Sequence, residues 1–150
     1  MSDNDRNAVP VGGVFTIRMA VRWGDMDAVG HVNNTLYFQY FEEARVVMLE
    51  RVGLGFGVER GWVLAHASCD FLKPLLYPAR IDVSLRLLRV GRSSVEFDVW
   101  VALADEPDSV YARGRNVMVF IDNETGRSVA LPPNAVQRLS TIFLVPSARV

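Results

Sequence analysis

One stretch of helical spacing in a chain otherwise built on alternation limits the fold more than any other feature. Tyr37, Tyr40, Phe41, Ala44, Val47, Met48 and Val52 recur mostly three or four residues apart, while Gln39, Glu42, Glu43, Arg45, Glu50 and Arg51 fall off that stripe, the pattern of a helix with one buried face. Asn33, Asn34 and Thr35 carry side chains suited to capping its start, so the helix is predicted to begin near Thr35 and to end at Gly53, a residue free to take a left-handed cap. About 18 residues at 1.5 Å each make a rod of roughly 27 Å.

The rest of the chain reads as strand. Phe15, Ile17, Met19, Val21 and Trp23 alternate with more polar neighbours, which predicts one half-buried strand before the helix. After a glycine-rich turn over residues 53–61, four more strands are predicted near 62–73, 80–90, 93–104 and 110–121. Their buried faces are read as Val63, Ala65, Ala67, Cys69 and Phe71, then Ile81, Val83, Leu85 and Leu87, then Val95, Phe97, Val99, Val101 and Leu103. The connections over 73–79, 90–93, 105–109 and 122–127 carry Pro, Gly, Asp or Asn and are short enough for antiparallel pairing. Pro132 and Pro133 mark the start of a short last helix.

The order is β-α-β-β-β-β, an α+β arrangement in which an antiparallel five-stranded sheet packs on one long helix. Ten-residue strands span roughly 33 Å, long enough for a curled sheet to wrap the rod. A single domain over residues 14–150 follows a tail over 1–13 that reads as flexible.

Charge and composition narrow the function. Sixteen basic and 17 acidic residues leave a net charge of −1, so the chain as a whole offers no footprint for nucleic acid or an anionic membrane. All but one of the basic residues are arginine, Lys73 being the exception, and arginine suits phosphate or carboxylate. One cysteine, Cys69, allows no internal disulfide, and with only two histidines, His31 and His66, there is little material for a thiolate zinc site, so a reducing compartment and no structural metal are expected. No run approaches the roughly 20 apolar residues that span a bilayer, and the opening residues lack a signal-peptide core, so a soluble, cytoplasmic protein is expected. There is no G-x-S-x-G elbow and no P-loop, and the glycines of residues 53–57 follow a helix rather than a strand.

The chemistry gathers between the first strand and the helix, in Trp23-Gly24-Asp25-Met26-Asp27-Ala28-Val29-Gly30-His31-Val32-Asn33-Asn34-Thr35-Leu36-Tyr37. A helix N-terminus carries unpaired N–H groups and partial positive charge, so it can hold the oxyanion formed in acyl transfer, and a nearby carboxylate can serve as base or nucleophile. Read from the residues alone, acids and amides in front of a helix are usually caps and turn formers, and that reading is the favoured one.

The motif D-x-D-x-x-G-H-V-N-N-x-x-Y followed by Glu42-Glu43-Ala44-Arg45 resembles the 4-hydroxybenzoyl-CoA thioesterase-like family of hotdog acyl-CoA thioesterases. The resemblance continues in Phe71-Leu72-Lys73-Pro74-Leu75, Val90-Gly91-Arg92-Ser93-Ser94 and Ala112-Arg113-Gly114, and so covers nearly the whole domain. It implies a hotdog fold and hydrolysis of an acyl-CoA thioester, with coenzyme A as part of the substrate and no separate cofactor. Asp27 would be the catalytic carboxylate, as nucleophile or general base, and the backbone N–H of Asn34 would polarise the thioester carbonyl. One branch of the family has an aromatic residue at the Asn34 position, but a backbone donor survives that change.

By the same resemblance His31 joins the catalytic group, Asn33 and Tyr37 contact substrate, and Lys73, Arg89 and Arg92 meet the coenzyme A phosphates. Another branch carries its acid on the central helix, which keeps Glu42 and Glu43 as alternatives to Asp27. Asp25 is expected to brace the loop, and Cys69 and His66 to pack. Tyr37, Phe38, Trp62 and Phe71 are candidates for a pocket wall. Self-association as a dimer or tetramer is implied, with sites between subunits. Two other readings stand beside this one: hydrolysis of acyl-carrier-protein thioesters, and a non-catalytic acyl-thioester binding protein.

Overall fold

The computed structural model describes residues 12–143 and the backbone of 148–149. Most of the expected N-terminal tail lies outside the described residues; its last two members already bond to the sheet, Gly12 N–H donating to Leu87 O and Gly13 O accepting from Leu87 N–H.

The strands are β1 (Val14–Ala20), β2 (Arg60–Phe71), β3 (Arg80–Val90), β4 (Ser94–Leu103), β5 (Glu106–Asp122) and β6 (Ala148–Arg149); the helices are α1 (Asn34–Arg51) and α2 (Ala135–Phe143). The sheet runs β2-β5-β4-β3-β1-β6. Its first five members pair antiparallel, as the alternation predicts, and β6 adds a two-residue parallel pairing to β1 that the sequence did not announce. The sheet curls around α1, which is the hotdog architecture.

The stripe on α1 is the core. Tyr37, Tyr40, Phe41, Ala44, Met48 and Leu49 are buried against Ile81, Val83, Leu85 and Leu87 of β3 and Val95, Phe97, Val99 and Val101 of β4. On α2, Phe143 stacks on Phe97 and closes the core at the end where β1 begins. Gly53 takes the positive φ of 70° expected of a helix terminator, and the Arg138 guanidinium donates to its carbonyl at 2.7 Å.

Several local expectations change. In β2 the register slips between Leu64 and His66, so a bulge at Ala65 inverts the alternation. Trp62 and Leu64 face the inner residues Phe120 and Met118, Ala67 faces the buried Asn116, and Val63 points to the outer face instead of joining Ala67, Cys69 and Phe71. His66 is exposed on that outer face rather than packed. Trp23 is 73% exposed because β1 ends at Ala20 and a 3-10 turn over Trp23–Asp25 breaks the alternation. The hairpin between β4 and β5 turns at Ala104 and Asp105, so residues 106–109 are strand rather than loop. Pro107 is tolerated there because it lies at the start of β5, beside irregular pairing.

Arg45 is another correction. Its place off the apolar stripe suggests a surface residue, yet it is buried, with its guanidinium donating to the Asn116 side chain on β5. Burial pulls its pKa down, while Glu42, one turn back, opposes that shift.

Two consequences bear on function. The chain is pinned at one end of the sheet where Val21 N–H donates to Ala79 O at 2.9 Å and Val32 N–H to Leu75 O at 2.8 Å, so the β1–α1 loop, the start of α1 and the β2–β3 connection converge. At the far side of the sheet, β2 has a partner on one edge only among the described residues.

Candidate active site

Asp25 anchors the loop. It is buried; one carboxylate oxygen accepts from the Tyr40 hydroxyl at 2.7 Å and from Arg22 N–H at 2.9 Å, and the other from Arg22 Nε at 3.2 Å. Burial and the carboxylate together hold the Tyr40 hydroxyl well above its ordinary range, so it stays a donor. Asp25 therefore braces, as expected, and Tyr40 is the partner that sequence spacing gave no sign of. The Asp25 carbonyl also accepts from Asn33 N–H at 2.9 Å, which ties the brace to the helix start.

Between these anchors the chain makes a tight turn. Asp27 N–H donates to His31 O at 2.9 Å, and Gly30 N–H to Asp27 O at 3.0 Å. Gly30 has a φ of 89°, a conformation costly for any residue with a Cβ. The Asp27 side chain accepts from Val29 N–H at 2.9 Å. One of its oxygens thus holds the turn, and the carboxylate is exposed in a single chain.

The helix start is the complementary part. Asn33 is the N-cap: its Oδ1 accepts from Thr35 N–H at 2.9 Å and from the Thr35 hydroxyl at 2.8 Å. Its carbonyl takes Leu36 N–H. The N–H of Asn34, the first helical residue, is bonded to none of the described residues. Replacing the cap, Asn33→Ala, should cost about 1 kcal/mol of stability, read as a lower urea midpoint with an unchanged m-value.

A cavity of about 260 Å³ opens beside this terminus, lined by His31, Val32, Asn34, Tyr37, Phe71, Leu72, Lys73 and Pro74. Tyr37 and Phe38 both meet the Phe71 ring edge-on, at 5.2 and 6.5 Å between centroids. His31, Asn34, Tyr37 and Lys73 therefore converge. Asp27 does not line the cavity but is bonded to His31, which does. The side chain of Asn33 is engaged in capping rather than turned to the cavity.

Other candidates stand elsewhere in the chain. Glu42 and Glu43 line a separate groove of about 640 Å³ with Met19, Arg22, Gln39 and Val46. Arg92 borders a cleft of about 190 Å³ with Pro132 and Pro133. Arg89 belongs to the same β3–β4 end, which neighbours the start of β2, a full strand from Asn34. Trp62 donates from its indole to Leu54 O at 2.8 Å, also away from the cavity. Burial pushes the Cys69 thiol up to about 11, so it is a poor nucleophile at neutral pH. Accordingly Cys69→Ser should leave thioester turnover within about twofold, and alkylation of Cys69 should speed up only as pH approaches that value.

A family model described as the thioesterase-like superfamily matches residues 21–139. The chain belongs to the thioesterase-like superfamily. This thioesterase-superfamily chain is similar to the PA5185 protein of Pseudomonas aeruginosa, at 34% identity and a TM-score of 0.76, covering 93% of this chain and 96% of that one. It is also similar to a 1,4-dihydroxy-2-naphthoyl-CoA thioesterase from Synechocystis, at 25% identity and a TM-score of 0.75, covering 88% and 96%. An acyl-acyl carrier protein thioesterase of Arabidopsis thaliana is 27% identical over 124 residues, which are 79% of this chain and 65% of that protein. Family and relatives agree on thioester hydrolysis as the general chemistry. No helix among the described residues of this superfamily member is long and apolar enough to cross a membrane.

Proposed function

We propose that this thioesterase hydrolyses an acyl-CoA thioester to the free acid and coenzyme A, using Asp27 and the N–H of Asn34 on one carbonyl. The observation that carries this reading is the unbonded Asn34 N–H at the start of α1, beside a cavity with a polar side and an apolar side. A thioester carbonyl seated there would accept from that N–H, and the partial positive charge of the helix terminus would stabilise the developing oxyanion. Asp27 then either attacks the carbonyl carbon, giving an anhydride that water opens, or takes a proton from the attacking water. By either route the C–S bond breaks, water supplies the new carboxyl oxygen, and the thiolate of coenzyme A leaves with a proton. His31, bonded through its carbonyl to Asp27 and lining the cavity, positions this carboxylate.

An exposed Asp27 calls for a second subunit to shelter the reaction. The free edge of β2 carries Val63, Leu64 and Phe71, all more than 40% exposed, and a long apolar edge strand is suited to pairing with another chain. A two-fold antiparallel pairing of β2 edges makes a dimer. It would bring the β3–β4 hairpin of one protomer, with Arg89 and Arg92, to the Asn34 end of the other. Those arginines and Lys73 would then hold the coenzyme A phosphates, which makes coenzyme A rather than a carrier protein the favoured carrier. Thiol release from acyl-CoA and acyl-carrier-protein thioesters with matched acyl groups tests this. Faster release from the CoA series supports it, and release from the carrier-protein series alone would replace it.

A further inference from the structure

The segment that leads into α1 is a small hairpin. Asn33 N–H donates to Asp25 O at 2.9 Å, Met26 and Val32 form an antiparallel bridge, and Asp27 N–H donates to His31 O at 2.9 Å. Gly30 N–H closes the tip on Asp27 O at 3.0 Å. These rungs fix Asp27 within the hairpin. They do not by themselves fix the hairpin against α1, whose first residue supplies the Asn34 N–H.

The two legs are anchored differently. The second leg is tied twice, by its run into the N-cap Asn33 and by Val32 N–H donating to Leu75 O at 2.8 Å. Two points on one leg define an axis, and Asp27 stands off that axis on the other leg. The first leg arrives from β1 through Trp23 and Gly24, which are exposed and give it little packing support. A buried hydrogen bond joins it to α1: the Tyr40 hydroxyl donates to the Asp25 carboxylate at 2.7 Å, the two residues being 4% and 3% exposed. Such charge-assisted bonds are short and strong. Tyr40 lies about 9 Å along the helix from Asn34, at 1.5 Å per residue, so a bond placed there resists rotation of the hairpin about the Val32–Asn33 axis. Tyr40 itself lines the groove of Glu42 and Glu43 and not the cavity at the start of α1. Any effect it has on hydrolysis must pass through Asp25.

We infer that Tyr40 is a positioning residue whose hydroxyl, through the Asp25 carboxylate, keeps the Asp27 side chain at its working distance from the Asn34 N–H. The inference rests on the hydrolytic reading above and deepens it. Helix α1 then carries both halves of the arrangement, the N–H at its first residue and the anchor of the carboxylate in its second turn.

Tyr40→Phe removes the O–H and little else. The ring keeps its edge-on contact with Tyr37, 6.1 Å between centroids, and Asp25 keeps its bonds from Arg22 N–H and Arg22 Nε, so the variant should fold and melt near the native protein. With acyl-CoA thioesters as probes, kcat should fall about tenfold, within the hundredfold that a displacement of about 1 Å can cost, while KM stays within about twofold. Asp25→Asn, which puts an N–H donor where an oxygen accepted, should give the same split. The decisive measurement is Tyr40→Phe made in the Asp27→Asn background. There it should cost less than about twofold, because the carboxylate it positions is gone and losses within one unit do not multiply. An unchanged kcat in Tyr40→Phe, a loss that falls on KM, or a tenfold loss that persists in the Asp27→Asn background would overturn the inference and leave the hydrolytic reading intact. Asp27→Asn turning over at the native rate would remove that reading and the inference with it.

Discussion

Asp27→Asn should lower the turnover of acyl-CoA thioesters by about a hundredfold or more, the scale of losing a general base, which corresponds to roughly 2.7 kcal/mol of barrier. The substitution is chosen because it spares the structure. The carboxylate accepts one hydrogen bond, from Val29 N–H, and the amide oxygen of asparagine can accept the same bond. The turn is further held by the backbone bonds from Asp27 to His31 and from Gly30 to Asp27, so the loop should keep its shape. KM should change little and melting not at all. Glu42→Gln and Glu43→Gln should each stay within a few-fold of the native rate, because those side chains line the separate groove beside β1. Steady-state thiol release from the three variants decides between the carboxylates: a large loss in a glutamate variant with Asp27→Asn unaffected would move the chemistry to the helix.

Gly114→Ala should be the most damaging small change in the sheet. Gly114 pairs with Cys69 across β2 and β5, and a Cβ there would fall 1.8 Å from the Ser68 carbonyl oxygen and 3.0 Å from the Cys69 Cα. These are backbone atoms of a neighbouring strand, so nothing flexible can yield. The strands must separate, at a cost of about 3 kcal/mol or more, or roughly 10 °C in Tm for a chain of this size. Because β2 supplies Phe71 to the cavity wall, activity should fall with stability. Gly24→Ala is the control: no atom lies within 4 Å of its would-be Cβ, and its Tm should stay near the native value. Differential scanning calorimetry of the two variants reads both effects.

The parts of this fold set by local periodicity were legible in the sequence. The α1 stripe is buried apart from the half-buried Val47, Asn33 caps the helix, Gly53 ends it, and the predicted inner faces of β3 and β4 are buried apart from the half-buried Leu103. The misses share a cause: one residue inserted or turned changes which side every later residue faces. The Ala65 bulge, invisible in a run of small side chains, put Val63 on the outer face, and a 3-10 turn sent Trp23 outward. Arg45 was misread because its acceptor, Asn116, is 71 positions away.

At the site, the segment from Asp25 to Tyr37 was legible as a unit through its resemblance to known thioesterases, and His31, Asn34, Tyr37 and Lys73 do meet at one cavity. Asp25 braces the loop as expected, yet its bond to Tyr40 depends on how the loop folds back over the helix. The distance between Lys73 and the Arg89–Arg92 hairpin is a property of sheet topology, which spacing along the chain does not carry.

The central claim is that the Asn34 N–H and the side chain of residue 27 act on the same thioester carbonyl. A crystal structure of the Asp27→Asn variant with a bound acyl-CoA tests this most directly. The account predicts the carbonyl oxygen within hydrogen-bond distance of Asn34 N, the residue 27 amide facing the carbonyl carbon or a water beside it, and the acyl group lying along Phe71. A thioester bound in the groove of Glu42 and Glu43, with the start of α1 empty, would contradict it.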